Sequence, residues 1–402
     1  MLIVQKYGGS SVANAERVFN VANRIKDAYT AGNEVVVVLS AQGDTTDDLI
    51  EKAHEISANP SKRELDMLLS TGEQQSVALM CMALAELGVP CVSLNAKQAG
   101  MSTTSSYGNA RFKKIKPDRM RRELDLKQVV VVTGFQGINR FDDVTTLGRG
   151  GSDTTAVAIA AALHADKCEI YTDVDGVYTA DPRVVKNARK LNEITYDEML
   201  ELATLGAKVL HNRSVEMAKK YNVELVVRSS LTKAEGTVVK EACKMERMLI
   251  SGVAGDDEIA RVSLVGLKDT PGKAFDIFRT LGKHGINVDI ILQSIGRDKT
   301  KDISFTVPIT ALEDTKEVIN ENRERWGAEH VDYNDNLAKV SVVGAGMTSN
   351  AGVAATMFEA MYDSNINIHM ISTSEIKISI LIDKKDMHKA MNAIHDAFNL
   401  ED

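Results

Sequence analysis

Two glycine-bearing segments of this chain have the residue types needed to hold a polyphosphate. The first, Lys6-Tyr7-Gly8-Gly9-Ser10-Ser11, follows the apolar run Leu2-Ile3-Val4 and precedes a helical pattern. Adjacent residues without Cβ let main-chain N–H groups approach an anion, and a helix start adds partial positive charge. Lys6, at the strand end, can set a point charge against the oxygens of a group in transfer. A tight turn with a solvated lysine would use the same residues, so this segment does not decide the matter alone. The second is Thr145-Thr146-Leu147-Gly148-Arg149-Gly150-Gly151-Ser152-Asp153, which enters a very apolar helical run. Three glycines, a hydroxyl and an arginine at a helix start make an anion site, with a guanidinium fork for a carboxylate or phosphate. Asp153 falls at or near the N-cap. Read as a simple cap and a surface arginine, the segment leaves its glycines unexplained.

A third segment, Thr172-Asp173-Val174-Asp175-Gly176-Val177-Tyr178-Thr179-Ala180-Asp181-Pro182-Arg183, again follows a strand pattern. An Asp-rich turn can hold a nucleotide, or its Mg2+ indirectly, and is equally suited to capping itself. Ser40 and Thr46 in Ser40–Thr46, Glu73 in Ser70-Thr71-Gly72-Glu73, and Lys208 in Gly206-Ala207-Lys208 are isolated candidates of the same kind. Other chemistries lack their signatures. There is no GxxxxGK[ST] loop, no GxSxG elbow and no HExxH pair. Gly344-Ala345-Gly346 follows a strand pattern, but Ser349 stands where a dinucleotide fingerprint needs its third glycine. Arg111–Arg122 is basic, and within an acidic chain it reads as a solvated helix face.

Short β-branched runs position these segments. Leu2–Val4, Val35–Leu39, Val129–Thr133, Cys168–Thr172 and Val223–Val227 read as buried strands, with amphipathic stretches between them. That alternation predicts a largely parallel sheet covered on both faces, with ligands at the carboxyl ends of its strands. The last 160 or so residues contain a repeat. Ser263–Gly266 recurs as Ser341–Gly344; small-residue loops follow (Asp269–Gly272, Ser349–Gly352), then helical stretches (Ala274–Gly282, Val353–Met361). Matching strands are expected at Ile286–Ile290 and Ile366–Met370, and further strands at Asp302–Val307 and Ile376–Ile382. Each copy is β-α-β-β-α-β, of the ferredoxin-like kind. The polar stretch Glu235–Arg247 is the expected boundary.

The chain has 402 residues, with 48 Lys+Arg against 56 Asp+Glu and a net charge of −8. At roughly 150 residues per domain, two or three domains are expected. An acidic balance disfavours nucleic acid as a partner. No apolar run reaches the roughly 18 residues that span a bilayer, so no membrane partner is expected. Met1–Ser11 does not read as a signal peptide. Four cysteines without CxxC spacing suggest reduced thiols and a cytoplasmic location.

Together, these segments resemble the aspartate kinases. Lys6–Ser11 is similar to that family's opening Lys-Phe/Tyr-Gly-Gly-Thr/Ser-Ser motif, with Ser10 where many members carry threonine. Thr145–Asp153 and Thr172–Arg183 match further signature segments, and the resemblance covers essentially the whole chain. It implies an α/β amino-acid kinase fold, a mainly parallel sheet with helices on both faces, over residues 1–245. Over residues 246–402 it implies a regulatory region of two interleaved ACT modules, whose repeat copies span about 263–330 and 341–402. The implied reaction transfers the γ-phosphoryl group of ATP, with Mg2+ carried on the nucleotide, to the β-carboxylate of L-aspartate. The product is 4-phospho-L-aspartate, the start of lysine, threonine and methionine synthesis. A carboxylate with a pKa of about 4 is already ionised, so the absence of an evident general base fits.

By the same resemblance, Lys6 and Asp153 are catalytic. Lys6, Tyr7, Gly8, Gly9, Ser10, Ser40, Ser152, Thr172, Asp173, Tyr178, Asp181, Pro182, Arg183 and Lys208 would meet ATP. Arg149 would pair with the α-carboxylate of aspartate and Glu73 with its ammonium, among Thr46, Gly150, Gly151 and Ser152. Lysine, threonine or both would act as effectors at Asp269, Pro271, Gly272, Asn287, Val288, Asp289 and Gln293, and at Ser349, Gly352, Asn365, Ile366 and Asn367. A homo-oligomer, a dimer or a dimer of dimers, is expected. Other amino-acid kinases that phosphorylate a carboxylate, and a catalytically silent amino-acid sensor, remain alternatives. The tandem ACT tail weighs against the first, and the presence of Lys6, Arg149 and Asp153 against the second. The length leaves no room for a fused dehydrogenase domain.

Overall fold

The computed structural model describes residues 1–204, 209–241, 250–294, 300–345, 347, 350 and 352–401. The chain divides into two compact units. One holds residues 1–178 and 190–204 with the described residues 209–241; the other holds 179–189 and the described residues from 250 onward.

The first unit is built on an eight-stranded sheet. Its order is Glu193–Thr195, Thr237–Lys240, Leu225–Ser229, Lys167–Thr172, Leu2–Tyr7, Glu34–Leu39, Val129–Thr133, Cys91–Leu94. Every pairing is parallel except that of Leu225–Ser229 with Thr237–Lys240. The central strands read as unbroken valine runs because both faces are covered. Helices Ala15–Thr30 and Lys62–Glu86 cover one face, burying Val18, Val21, Ile25, Met80 and Leu84 against Val35, Val37 and Val131. The first of them starts where the Asn14 side chain accepts from the Arg17 N–H at 3.0 Å, and stops before Gly32 at φ +85°. Helix Gly151–Leu163, apolar almost throughout, packs against Leu2–Tyr7, Glu34–Leu39 and Lys167–Thr172. From Leu2–Tyr7 the chain goes to Glu34–Leu39 on one side, while Lys167–Thr172 lies on the other. Crevices open at such a reversal, beyond the carboxyl ends of the strands.

A small sheet of Phe112–Ile115, Met101–Thr103, Gln136–Ile138 and Val144–Thr146 carries the turn that leads into helix Gly151–Leu163. The basic segment 111–122 does not form one helix face. Pro117 divides it into the strand Phe112–Ile115 and the helix Asp118–Asp125, because proline tolerates only the start of a helix.

The second unit is one six-stranded sheet in the order Ile291–Gln293, Thr300–Pro308, Gly252–Lys268, His330–Val343, Lys377–Asp383, Met370–Thr373. The two central strands are long and each serves two halves. Gly252–Asp256 pairs with Lys339–Val343, and Arg261–Val265 pairs with His330–Asn334, with shifts of register between. Helices Lys273–Lys283 and Leu312–Trp326 enclose one core around Val262, Ile277, Phe305 and Trp326. Helices Val353–Asp363 and Met387–Ala397 enclose another around Val340, Met357, Ile380 and Ile394. The first half therefore runs contiguously from about Arg261 to Asn334, whereas the half built on the second copy is completed by Gly252–Asp256, a strand segment that precedes the first copy.

Two expectations shift. Ile286–Ile290 and Ile366–Met370 lead into strands rather than forming them; the ladders begin at Ile291 and Met370. The reason is local: Ile286 and Ile366 bury their side chains as plugs, and Asn365 turns at φ +51°. Segment 179–189 also packs within the second unit, with Ala180 and Val185 in its core. There the Val253 N–H donates to the Thr179 carbonyl at 2.7 Å, and the Thr179 hydroxyl meets His395 Nε2 at 2.9 Å.

Shared strands make the halves interdependent. Ile380→Ala and Phe305→Ala lie in different cores, and each should remove about 3 kcal/mol. Calorimetry should show both lowering one common transition of the second unit, whereas independent halves would give a transition that only one variant moves.

Candidate active site

The carboxyl ends of the parallel strands bring the first two segments into contact. Lys6 Nζ lies 2.6 Å from Asp153 Oδ1, with both side chains nearly buried (12% and 13% exposed). Gly8 borders the ammonium: a Cβ there would come within 3.4 Å of Lys6 Nζ. Gly9 lies so close to the next strand's loop that a Cβ would sit 2.6 Å from the Ala41 carbonyl, and the Gly43 N–H donates to the Gly9 carbonyl at 3.1 Å. Ser40 Oγ donates to Ser152 Oγ at 2.9 Å. Gly150 turns at φ +69° to start the helix, so Ser152 and Asp153 sit in its first turn, where main-chain N–H groups lack helical partners.

Glu73 is buried in the middle of helix Lys62–Glu86. Its Oε1 accepts the Ala41 N–H at 3.2 Å, and its Oε2 is buried without a partner. Burial pushes its carboxyl up to about 7. A buried carboxylate oxygen with nothing to pair is a place for a cation. Thr46 lies on the first turn of helix Thr45–Ile56, and Gly72 lets this helix and its neighbour approach. Arg149 is exposed at the tip of the turn.

The third segment is only partly gathered here. Thr172 ends the strand beside Leu2–Tyr7; its carbonyl accepts the Ser230 N–H at 2.8 Å, and Ser230 Oγ accepts from Ser11 at 2.8 Å. Thr172 donates to Asp173 at 2.8 Å, and Tyr178 donates to Asp175 at 2.8 Å, with Lys190 3.3 Å from the same carboxylate. Asp181, Pro182 and Arg183 belong to the second unit, where Arg183 pairs with Asp181 at 2.7 Å and holds that carboxyl below the usual range. Lys208 lies outside the described residues. The Tyr7 side chain is fully buried and stacks on Tyr171 at 4.5 Å, leaving only its main chain to the rim; Ser10 is exposed there.

Four residues that sequence reasoning passed over hold the Arg149 turn. Asp66 is buried and accepts from the N–H groups of Gly108 (3.0 Å) and Thr146 (2.9 Å) and from the Thr146 hydroxyl (2.7 Å). Arg213 donates to the carbonyls of Leu147 (2.6 Å) and Ala110 (2.9 Å) from the other side. The His211 ring packs against Gly150 so closely that a Cβ there would lie 2.2 Å from it. Gly134 follows the strand Val129–Thr133, and its missing Cβ makes room for Ser152. Only Gly134 had a sequence signal, a glycine just after a strand; the others act on partners distant in the chain.

In the second unit, Asp269, Pro271, Gly272 and Gln293 line a cavity of about 320 Å³, with Lys301 2.8 Å from Asp269. Asn287, Val288 and Asp289 do not line it; Asp289 instead meets the buried Lys339 at 2.6 Å. In the other copy, Gly352 caps helix Val353–Asp363 at φ +108°, Ile366 is buried, and Asn365 and Asn367 are exposed. Ser349 lies outside the described residues.

Asp66→Ala would strand several donors at once and should cost about 3 kcal/mol in a chemical denaturation series. Glu73 behaves oppositely. Its folded-state pKa is raised, so the charged form opposes folding, and that penalty grows as pH rises from about 4.5 to about 7. Glu73→Gln should therefore keep or raise the melting temperature at pH 8, and the difference should vanish near pH 4; a large loss at pH 8 would contradict this.

The amino acid kinase family model matches residues 1–229, and ACT domain models match residues 262–324 and 340–398. An aspartokinase of Geobacillus stearothermophilus is 53% identical over 400 residues, covering 99% of this chain and 97% of the relative. The structure of E. coli aspartokinase III with aspartate and ADP (R-state) aligns with a TM-score of 0.84 at 26% identity, covering 99% of both chains. The same enzyme with lysine and aspartate (T-state) aligns with a TM-score of 0.77, at the same identity and coverage. On a family model that spans more than half its length and a full-length relative sharing over half its residues, the chain belongs to the amino acid kinase family and, within it, to the aspartokinases.

Proposed function

We propose that the chain phosphorylates the β-carboxylate of L-aspartate with ATP, giving 4-phospho-L-aspartate and ADP, and that the rim around Lys6 is where this happens. The observation that carries the proposal is the Lys6–Asp153 contact at 2.6 Å inside a glycine-lined rim, with the buried, unpartnered Oε2 of Glu73 on a neighbouring helix. A carboxylate oxygen of aspartate attacks the γ-phosphorus in line; the new O–P bond forms as the bond to the β-phosphate oxygen breaks, and no proton moves. The rim needs only to align the groups and offset charge.

Lys6 supplies the cation for the transferring oxygens, and Gly8, Gly9 and the Ser152 turn supply main-chain donors. Asp153 orients Lys6. Glu73 receives the substrate ammonium, and Arg149 at the turn receives the α-carboxylate. Mg2+ would neutralise phosphate charge when bound. Among the described residues no cluster of three or more His, Cys, Asp or Glu could cage a metal, so the nucleotide phosphates would hold it with Asp153 beside them, which suits a cation that keeps its waters. The Thr172–Tyr178 strand end is assigned to the nucleotide, along with Asp181, Pro182, Arg183 and Lys208.

Residues 1–245 serve as the catalytic part and 246–402 as the regulatory part of a homo-oligomer, a dimer or a dimer of dimers. An end-product amino acid, lysine or threonine, is assigned to the cavity at Asp269, where Lys301 and Asp269 offer one charge to each end of a zwitterion. The free thiols Cys81, Cys91 and Cys168 support a reducing, cytoplasmic setting.

Protein incubated with ATP, Mg2+, aspartate and hydroxylamine should give aspartyl hydroxamate; product from glutamate but not aspartate would reject the assignment. Lys6→Ala should lower kcat about 10³-fold while the chain still folds, as circular dichroism would check; unchanged turnover would contradict the assignment. The KM for aspartate should rise about tenfold per pH unit below about 7, as Glu73 gains a proton in the free enzyme. Glu73→Gln should raise KM and flatten that dependence.

A further inference from the structure

Two thiols outside this machinery face each other. Cys81 lies near the end of helix Lys62–Glu86, Cys91 opens the edge strand Cys91–Leu94, and the short turn between them folds the strand back on the helix. The Cys91 thiol donates to the main-chain oxygen of Cys81 at 3.4 Å, which sets its sulfur within reach of residue 81's own side chain. The two thiols are close enough that each perturbs the ionisation of the other. Both residues are partly exposed and both are free thiols, whereas Cys168 is fully buried in the sheet.

We propose that Cys81 and Cys91 form a redox-active dithiol that a hydroperoxide oxidises to an intramolecular disulfide, reversibly joining the helix to the sheet edge. The site is independent of the phosphoryl-transfer assignment and stands or falls separately. The Cys91 thiolate attacks the peroxide oxygen, giving a sulfenic acid and, from hydrogen peroxide, water. Cys81, as its thiolate, then attacks the Cys91 sulfur and expels a second water. Two thiols lose two electrons and two protons, and one peroxide becomes two waters. The roles follow from the contact. Its neighbour and burial push the Cys81 thiol up, which leaves Cys91 as the thiol that ionises first.

The test uses the full-length reduced protein treated with one equivalent of hydrogen peroxide, alkylated and mapped by mass spectrometry without reduction. The expected product is a linked pair of peptides carrying residues 81 and 91, lighter by two hydrogens and restored by dithiothreitol. Cys81→Ser should leave Cys91 as a sulfenic acid that dimedone traps, and Cys91→Ser should leave Cys81 open to alkylation after the same treatment. The oxidised wild type should melt a few degrees higher, since the link restrains the unfolded chain. Recovery of both cysteines as alkylated thiols, oxidation first at Cys168 or Cys243, or a link between two chains would each overturn the proposal.

Discussion

The site in this molecule depends on one lysine held against one carboxylate. Lys6 comes from the end of the first strand and Asp153 from the first turn of the apolar helix, and the 2.6 Å between them closes the ring of glycines around the rim. Two nearly buried charges of opposite sign stabilise each other only while they stay paired. Under the proposed reading, an incoming polyphosphate would bring negative charge and take over the lysine, leaving Asp153 oriented by its helix turn. The glycines follow from this closeness. At Gly9, Gly134 and Gly150 a side chain would collide with a carbonyl, a serine or a histidine that the rim needs where it is.

Around that contact the fold supplies rigidity from outside. The Arg149 turn has no regular structure of its own, so Asp66 fixes the Thr146 amide and hydroxyl and Arg213 the Leu147 carbonyl, from elements far away in the chain. Glu73 is costly to keep charged: one oxygen accepts the Ala41 N–H and the other is buried without a partner. The second unit gains its coherence differently. Its two long strands each serve both halves, and the buried Lys339 bridges Asp289 at 2.6 Å and Asp256 at 3.8 Å across the shared pairing.

Much of this was legible in the sequence because it is periodic or local. The valine runs, the apolar helix and the repeat follow from burial on both faces of a sheet, burial on nearly every side of a helix, and duplication, and they appear where expected. Lys6, Ser152 and Asp153 were legible because glycines next to a strand end or a helix start have few other uses. Asp66, Arg213 and His211 were not, since a single polar residue in a helix gives no hint of a turn it reaches through folding alone. Ile286–Ile290 was misplaced because an isoleucine at alternating spacing can plug a core as well as pair in a ladder. The 179–189 segment reads as continuous with the strand before it, yet its packing partners, Val253 and His395, lie far downstream.

The most direct measurement is a crystal structure of the protein with a non-hydrolysable ATP analogue, Mg2+ and aspartate. The account predicts phosphate oxygens within hydrogen-bond distance of Lys6 Nζ and the Gly8–Gly9 amides, with the aspartate ammonium at Glu73 Oε2. A nucleotide bound elsewhere, with the Lys6–Asp153 pair still closed and Glu73 unpartnered, would contradict it.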